Sequence, residues 1–277
     1  MLTTHQAPSV RDAARPRKLE RALDDLRQGI FGWRLPFALA RLDIRNRYRG
    51  SVLGPFWLTL STAVMLTGLG LLYSTLFRLE LKTYLPFLAV SLILWNIISA
   101  MVIEGSSCLI EQESVIRQMP QPYSVHILRC IMRNSLVAAH NLPLIVVTFL
   151  ICGYTPGWVG LWAIPGLVLF LVNAMAVATL FGMLSARFRD IGPIVASVMQ
   201  IAFFMSPVIW KPELLGDRQR FLPFNPFYAV METVRGPLVA GGVSPWVWVS
   251  AIIYSAILCT AAFLIFQRFR NRIAFWV

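Results

Sequence analysis

Few side chains in this sequence have the type and spacing that enzyme chemistry needs. Only three lysines occur, Lys18, Lys82 and Lys211, and none lies in a GxxxxGK[ST] loop, the pattern that holds nucleotide phosphates. The GxSxG and HExxH motifs of hydrolases and metalloproteases are also missing from the sequence. We therefore predict no catalytic residue, no metal site and no cofactor bound by this chain.

Two ionisable residues stand in or beside apolar segments. Glu104 follows the second apolar run, and His140 lies within the third, in AAHNLPL. Pro143 frees the carbonyl of Ala139, so His140 or Asn141 could serve only to bond the local backbone. The alternative is that His140 handles a proton or the substrate, because ionisable groups inside a bilayer commonly have functional roles.

The elements that position these side chains are membrane helices. The chain has 277 residues, of which 57% are hydrophobic and 14% charged, whereas soluble domains carry about 25% charged residues. A helix needs roughly 20 apolar residues to cross the hydrocarbon core. Six segments qualify, at about 55–77, 84–103, 134–152, 159–185, 193–210 and 245–266. We expect an all-α polytopic membrane protein with six transmembrane helices.

The basic residues predict the orientation of these six spans. Nineteen of the 25 Lys and Arg side chains fall on the side that holds both termini, and six fall on the other. The positive-inside rule therefore places both termini in the cytoplasm. Most of the net charge of +12 is thus a property of topology, and we do not expect nucleic-acid binding.

The chain before the first span divides into two parts. Residues 1–33 are polar and are predicted to form a flexible tail, and residues 34–50 an amphipathic helix lying on the cytoplasmic leaflet. At 100° per residue Arg34, Arg41 and Arg45 share one face of that helix. One interpretation makes these arginines an orientation anchor. The other has them meet the phosphates of a lipid-linked substrate.

The longest internal cytoplasmic segment, residues 105–133, predicts a short docking helix. Val115, Ile116 and Met119 could share one helical face beside Arg117, and Pro120 would end the helix. So short a helix is marginal by itself and needs a surface to pack on. It is either part of a packed loop or a helix that docks into a partner subunit.

Prolines and aromatic residues mark the segment between the last two spans. FFMSPVIW ends one span, and FLPFNPFYAVMETVRGPL follows it. A helix over 225–234 is bounded by prolines and, at roughly ten residues, rises only about 15 Å, too short to cross. Residues 211–244 are therefore predicted to be re-entrant on the extracytoplasmic side. Five rings could form a gate there or an ordinary aromatic belt: Phe204, Trp210, Phe224, Phe227 and Tyr228.

Taken in order, these features resemble the membrane subunit of a type-2 ABC exporter. They are LDIRNRYRGSVLGPFW, six spans, the VIRQMPQPYS loop and FFMSPVIW followed by FNPFYAVMETVRGPL. Within that class the chain resembles permeases that export lipid-linked O-antigen, capsule or teichoic-acid polymers. The resemblance implies residence in the bacterial inner membrane, a homodimer, two separate ATP-binding subunits that carry the ATP and Mg²⁺, and re-entrant extracytoplasmic helices.

Two alternatives remain open at this point. One is a type-2 ABC exporter of a small lipophilic compound or a lipid. The other is an integral membrane transferase acting on lipid-linked sugars, for which Asp43, Glu111 and Glu113 are the cytoplasmic candidates. A neighbouring reading frame with a Walker A motif would favour the exporter, and its absence would favour the transferase.

Overall fold

The computed structural model describes residues 10–52, 54, 56–119 and 121–277, and this part of the chain contains helices and no strand. The predicted all-α class is confirmed. The α-helices are α1 Val10–Phe31, α2 Arg34–Arg47, α3 Phe56–Leu76, α4 Leu81–Ser107, α5 Glu113–Gln118, α6 Tyr123–Cys152, α7 Ala163–Arg187, α8 Ile191–Met205, α9 Pro226–Val239, α10 Pro245–Phe269 and α11 Ile273–Trp276. Short 3₁₀ helices cover Trp158–Trp162 and Arg270–Arg272. The segment Pro212–Phe224 consists of 3₁₀ turns that are interrupted at Gly216, where φ is +54°.

Five helical segments of the described residues are long and apolar enough to cross a membrane. They are Phe56–Leu76, Leu81–Ser107, Tyr123–Cys152, Trp158–Arg187 and Pro245–Trp276. The remaining predicted span corresponds to α8, which is apolar but has 15 residues. Helix α8 ends where it does because Ser206 precedes Pro207, and a residue before proline is pushed out of the helical region. Ser206 accordingly has φ −97° and ψ 145°.

Helix α4 lies at the centre of the bundle. It contacts α3, α6, α7, α8 and α9. Along its first half, side chains pointing in every direction are buried, Tyr84, Leu88, Val90, Leu92 and Ile93 among them. A helix that is apolar all round belongs in such a core. Its C-terminal half reaches the end of the bundle that holds α1, α2 and α5, which we call the termini end. Its N-terminal half reaches the opposite end, which we call the α9 end.

Small residues let α7 approach α4 closely. Ala174, Ala178, Gly182 and Ala186, spaced four apart, are all buried. A Cβ atom on Gly105 of α4 would lie 3.0 Å from the Cβ of Ala178. Small side chains at this spacing are how membrane helices pack without large gaps. The row of small residues is therefore a packing face within this chain.

A second close approach joins α7 to α9. Pro237 lies inside α9 and, having no N–H, leaves the carbonyl of Thr233 without its usual helical donor. That carbonyl oxygen would lie 2.5 Å from a Cβ placed on Gly166 of α7. Position 166 therefore has no room for a side chain. We expected Pro237 to bound this helix, but α9 continues to Val239.

The predicted flexible tail is corrected by α1, because Val10–Phe31 is helical and packs on α6 and α10. Asp25 is fully buried and accepts hydrogen bonds from the backbone N–H groups of Tyr123 and Ser124, at 3.2 and 3.0 Å. A carboxylate at this position caps the start of α6 and complements its helix dipole. Arg270 donates to the same carboxylate at 2.7 Å. Residues 1–9 lie outside the described part of the chain.

The predicted end of the loop at residue 133 was also wrong, because α6 begins earlier. We expected residues 105–133 to be a cytoplasmic segment and the span to begin near 134, but the helix begins at Tyr123. Arg129 and Arg133 therefore belong to a helix and not to a loop. The predicted interfacial helix over 34–50 is observed as Arg34–Arg47, followed by a turn in which Gly50 has φ +83°.

Candidate functional site

A network of ion pairs joins three helices at the termini end. Arg129 of α6 donates to both oxygens of Asp43 on α2, at 2.7 and 2.5 Å, and to Gln112 at 2.6 Å. Arg133, one turn further along α6, lies 2.9 Å from Glu104 of α4. The Arg129–Asp43 pair has two parallel hydrogen bonds, and ion pairs of this bidentate kind are among the stronger ones. We call this group the α2–α4–α6 network.

Further members of the network compete for the same partners. Glu111 and Asp43 lie 3.5 and 3.8 Å from Arg133, and Arg47 of α2 lies 3.2 Å from Glu104. Arg133 thus has three carboxylates within 4 Å. Asp43 and Glu111, which we considered as transferase candidates, are neutralised by arginines in this arrangement. They are structural ion-pair partners of the bundle and form no acid–base pair.

The predicted docking helix is present as α5, Glu113–Gln118, but its apolar face is divided. Ile116 is only 7% exposed and packs in the core of this chain, whereas Met119, just after the helix, is 53% exposed. Val115 is half-buried. Arg117 donates to the Val277 carbonyl oxygen, with the shorter bond 2.5 Å. Pro120 lies outside the described residues.

The three predicted interfacial arginines are all exposed on α2. Arg41 and Arg45 line an open groove between α2 and α6, and Arg34 is not among the residues of that groove. His140 lies on the α6 wall of the same groove. Its Nδ1 donates to the Leu136 carbonyl at 2.7 Å, one turn before. Thr59 of α3 donates to the backbone carbonyl of His140 at 2.9 Å. Neither this hydrogen bond nor the one to Leu136 involves the Ala139 carbonyl that Pro143 frees, so the predicted bonding of that carbonyl by His140 or Asn141 stays a prediction.

At the α9 end the five predicted gate rings fall into three groups. Phe204 and Phe224 are 68% and 74% exposed. Tyr228 and Trp210 pack in a small separate cluster with Leu222 and Val247. Phe227 instead contacts Trp95 of α4 edge-on, with ring centroids 5.8 Å apart.

Two rings that sequence reasoning missed, Phe203 and Trp95, connect Phe204 with Phe227. Phe203 lies 5.7 Å from Trp95 and 5.2 Å from Phe204, centroid to centroid. The rings of Phe204, Phe203, Trp95 and Phe227 therefore form a continuous row from the exposed face of α8 to α9. Edge-on and tilted aromatic contacts of this kind each contribute about 1 kcal/mol beyond burial.

A fully buried arginine also lies at this end, and sequence reasoning missed it. Arg235 of α9 is 0% exposed. Its guanidinium pairs with Glu232 one turn before, donates to Ser91 of α4 at 3.0 Å and donates to the Pro207 carbonyl at 2.5 Å. The ring of Phe87 lies 4.5 Å from the guanidinium carbon. We call these residues the Arg235 cluster.

Three hydrogen bonds hold the extended segment that follows α8, and one of them comes from the Arg235 cluster. Arg235 binds the carbonyl of Pro207, and Asn225 donates to the hydroxyl of Ser206 at 3.0 Å. Tyr84 of α4 donates to the carbonyl of Ile209 at 2.6 Å. From the sequence, Arg235 was counted only among the six basic residues on the side opposite the termini. Its signal in the sequence was a Glu at i−3 in an otherwise apolar helix, since an ionisable residue at such a depth requires a partner.

The four cysteines show no disulfide. Cys108 and Cys130 are buried, and burial raises the pKa of the Cys108 thiol well above its usual range. Such a thiol is chemically inert. No group of His, Cys, Asp and Glu among the described residues could hold a metal ion.

Comparison with known proteins assigns the family. The model of the family described as ABC-2 type transporter matches residues 35–239, from α2 to the end of α9. The chain belongs to the ABC-2 type transporter family. With five apolar helices long enough to span a bilayer, this ABC-2 family chain is a multi-pass membrane protein. The matched region contains both the α2–α4–α6 network and the Arg235 cluster.

Two relatives resemble this ABC-2 chain over most of their length. The O-antigen export system permease protein RfbA of Klebsiella pneumoniae is 24% identical over 238 residues, which cover 84% of this chain and 90% of that protein. A protein of the same name from Myxococcus xanthus is 25% identical over 205 residues, covering 73% of this chain and 78% of that protein.

Proposed function

We propose that this chain is the transmembrane permease subunit of an ATP-driven exporter that moves a lipid-linked polysaccharide across the bacterial inner membrane. The observation that carries the proposal is the ABC-2 family match over residues 35–239. Both relatives are named as O-antigen export permeases. The sequence has no phosphate-binding loop, so ATP and Mg²⁺ belong to a separate ATP-binding subunit, two of which would serve a homodimer of this chain.

The topology we propose has six spans with both termini in the cytoplasm. Helix α8 would be the fifth span despite its 15 residues, because the link after Met205 extends the apolar segment towards Trp210. Helix α9 has 14 residues and rises about 21 Å, less than the roughly 30 Å of the hydrocarbon core. It would therefore be re-entrant from the extracytoplasmic side. Its contact with Gly166 supports this, because an irregular backbone at membrane depth must be enclosed by protein.

The row of rings from Phe204 to Phe227 supports a gate at the extracytoplasmic end. In a dimer, two such rows would close the path when no polymer is present, and sugar faces would replace ring contacts during passage. Phe224, Tyr228 and Trp210 flank the row. We expect the Phe227→Ala and Phe204→Ala double variant to leak dye from vesicles that contain the complex. A tight bilayer together with unchanged export would leave these rings as an aromatic belt.

For coupling to the ATP-binding subunit, we propose that residues of the segment from Val115 to Pro120 have different roles. Ile116 anchors α5 to the core of this chain, and the exposed Met119 is presented to the partner. Arg117 ties α5 to Val277. Closure of the ATP-binding subunits would then move α5 and, through Glu111 and Gln112, the α2–α4–α6 network.

The decisive experiment is purification of this chain with an ATP-binding subunit encoded beside it, followed by an ATPase assay. We expect the complex to form and lipid-linked glycan to stimulate ATP hydrolysis. Met119→Asp places a charge in the proposed docking surface without touching the core, so association or stimulation should fall while thermal stability stays unchanged. Stimulation by small lipophilic compounds and not by glycan would identify a different ABC-2 cargo.

A further inference from the structure

A small polar cavity lies at the termini end, between α6 and the turn that joins α4 to α5. Its volume is about 10 Å³. The polar part of its lining consists of Glu111, Gln112, His126, Arg129 and Arg133, and two cysteines complete it. The cavity therefore adjoins the α2–α4–α6 network, but His126 has no place in the ion pairs described above.

Two of the lining side chains have buried atoms that no other described residue satisfies. His126 is 2% exposed, and neither of its ring nitrogens has a hydrogen-bond partner among the described residues. Arg133 is 9% exposed, and its Nε is likewise without a partner there, although its terminal nitrogens lie near carboxylates. A buried polar group that stays unpaired costs stability. In folded proteins such groups therefore bond almost always to protein or to ordered water.

The size and chemistry of the cavity point to a single water molecule. A volume of about 10 Å³ is close to the least that can hold one water, so phosphate or an organic ligand is too large. Nε of Arg133 can only donate, whereas the unprotonated nitrogen of a neutral His126 and the carboxylate of Glu111 can only accept. Water donates two hydrogen bonds and also accepts, so one molecule can serve all three groups.

We propose that this cavity binds one structural water molecule, which accepts a hydrogen bond from Arg133 and donates to His126 and Glu111. The water would join α6 to the turn between α4 and α5. The same turn is already tied to α6 by Gln112, which accepts from Arg129 at 2.6 Å, and by Glu111, which lies 3.5 Å from Arg133. Three hydrogen bonds are the usual number for a buried water.

A water at this position matters for coupling because it can keep its hydrogen bonds while the groups around it move. In the proposed function, closure of the ATP-binding subunits moves α5 and, through Glu111 and Gln112, the α2–α4–α6 network. A bridging water lets Glu111 shift relative to His126 while both groups stay bonded. This role rests on the proposed function, whereas the water site itself does not.

Thermal unfolding of the purified full-length chain tests the site with two substitutions of similar size. His126→Gln keeps a donor and an acceptor for the water, and His126→Leu removes both. We expect the leucine variant to melt about 3 °C below the glutamine variant, the scale of one buried hydrogen bond in a chain of this length. In a dry cavity the order would reverse, because a buried unpaired amide is worse than an apolar side chain. Equal or reversed melting temperatures would overturn the site.

Ser185→Ala is the control for losing an unpartnered polar group elsewhere. Ser185 is fully buried, and its hydroxyl has no partner among the described residues, but it does not line the cavity. Its replacement should leave the melting temperature unchanged or slightly higher. A loss as large as that of His126→Leu would show that the effect at His126 is not specific to the water.

Nuclear magnetic resonance observes the water in the unaltered protein, so the test does not depend on how well the variants fold. The chain contains three histidines. Isotope-labelled histidine therefore gives few ring signals, and the signal that His126→Gln removes belongs to His126. We expect magnetisation to pass from water to the ring of His126 in proteoliposomes. The absence of that transfer would overturn the site.

Stimulation of the partner ATPase by substrate separates the role in coupling from the proposed function. We expect His126→Leu to weaken the stimulation more than His126→Gln does. Equal stimulation in the wild type and in His126→Leu, with the water observed, would defeat the role in coupling alone. If the wild-type complex showed no stimulation, the proposed function and the coupling role would fall together. The melting temperatures and the magnetic resonance signal would still decide the water site.

Discussion

Charged side chains hold the bundle together at both ends. The Arg235 cluster and the α2–α4–α6 network differ in how many carboxylates are available to the central arginine. Arg235 has one carboxylate, one hydroxyl and one carbonyl within hydrogen-bond distance, and its guanidinium is closed off from solvent. Arg133 has three carboxylates within 4 Å. Several members of its network, such as Arg47 and Glu111, are half exposed.

This difference has a mechanical consequence. At the α9 end any movement of α9 away from α4 would strip a buried charge of its partners, which costs several kcal/mol. At the termini end a rotation of α2 or α5 exchanges one carboxylate of Arg133 for another, and water can cover the remainder. We therefore expect the α9 end to behave as a rigid scaffold and the α2–α4–α6 network to be the part that can rearrange when an ATP-binding partner closes.

The largest effect is expected for Arg235→Met, which tests whether the α9 end is a rigid scaffold. The substitution leaves the Glu232 carboxylate buried without a partner, and we expect it to lower the free energy of unfolding by about 4 kcal/mol. Thermal unfolding of the detergent-purified chain measures the loss. The Glu232→Leu and Arg235→Met double variant removes both charges and should recover part of the stability. A single variant as stable as the wild type would mean that the cluster is not a scaffold.

The next effect concerns the contact of α7 with α9. Gly166→Ala would bring a Cβ to 2.5 Å from the carbonyl oxygen of Thr233, so α9 must shift. We expect a loss of about 3 kcal/mol, which is typical of overpacking. Gly68 of α3 has no atom near its Cβ direction and is the matched control, since Gly68→Ala should not destabilise. Equal melting temperatures of both variants would show that α9 is mobile.

At the termini end we expect Arg133→Gln to separate stability from coupling. The glutamine keeps one hydrogen bond to Glu104 and loses the ion pairs, so the free energy of unfolding should fall by about 2 kcal/mol or less. Stimulation of the partner ATPase by substrate should fall much further than stability. If both quantities dropped in proportion, the network would be a structural clamp like the Arg235 cluster.

The smallest effect is expected for Arg47→Gln. Arg47 is half exposed and meets Glu104 at 3.2 Å, and exposed ion pairs contribute below about 1 kcal/mol. Added salt should reduce that contribution further, because exposed charges are screened. Unfolding followed at low and high ionic strength provides the measurement. A loss as large as that of Arg133→Gln would contradict the view that partners in this network are interchangeable.

Prediction from the sequence succeeded where the signal is local. Continuous apolar runs predicted five segments that are long enough to span a membrane, and Pro226 predicted the start of α9. The start of α6 was missed because Arg129 and Arg133 lower the local hydropathy. Their charges are neutralised by residues of α2 and α4 that are distant in the sequence. Helix α1 was missed for the same reason, since Asp25 is stabilised by the N-terminus of α6 and by Arg270.

For the candidate functional residues, the sequence predicted which residue types occur in which segment, but it did not predict which side chains they contact. Arginines on α2, a short helix before Pro120 and an aromatic segment around Phe227 all follow from spacing. Whether Ile116 faces a partner or the core of its own chain depends on distant elements such as α11, which contacts α5 and which no local pattern predicts. The roles of Trp95 and Phe203 were hidden because a ring within an apolar span looks like any other lipid-facing or core residue.

The sequence by itself determined the helical class, the apolar segments and the absence of a nucleotide-binding loop, because these depend on composition and on short motifs. The tertiary structure decided which charges are buried and with what. Ser91 and Arg235 are 144 positions apart, and Asp43 and Arg129 are 86 apart. The physical reason is that a buried charge must have its hydrogen bonds completed, and most of the groups that complete them here come from other helices of the packed bundle.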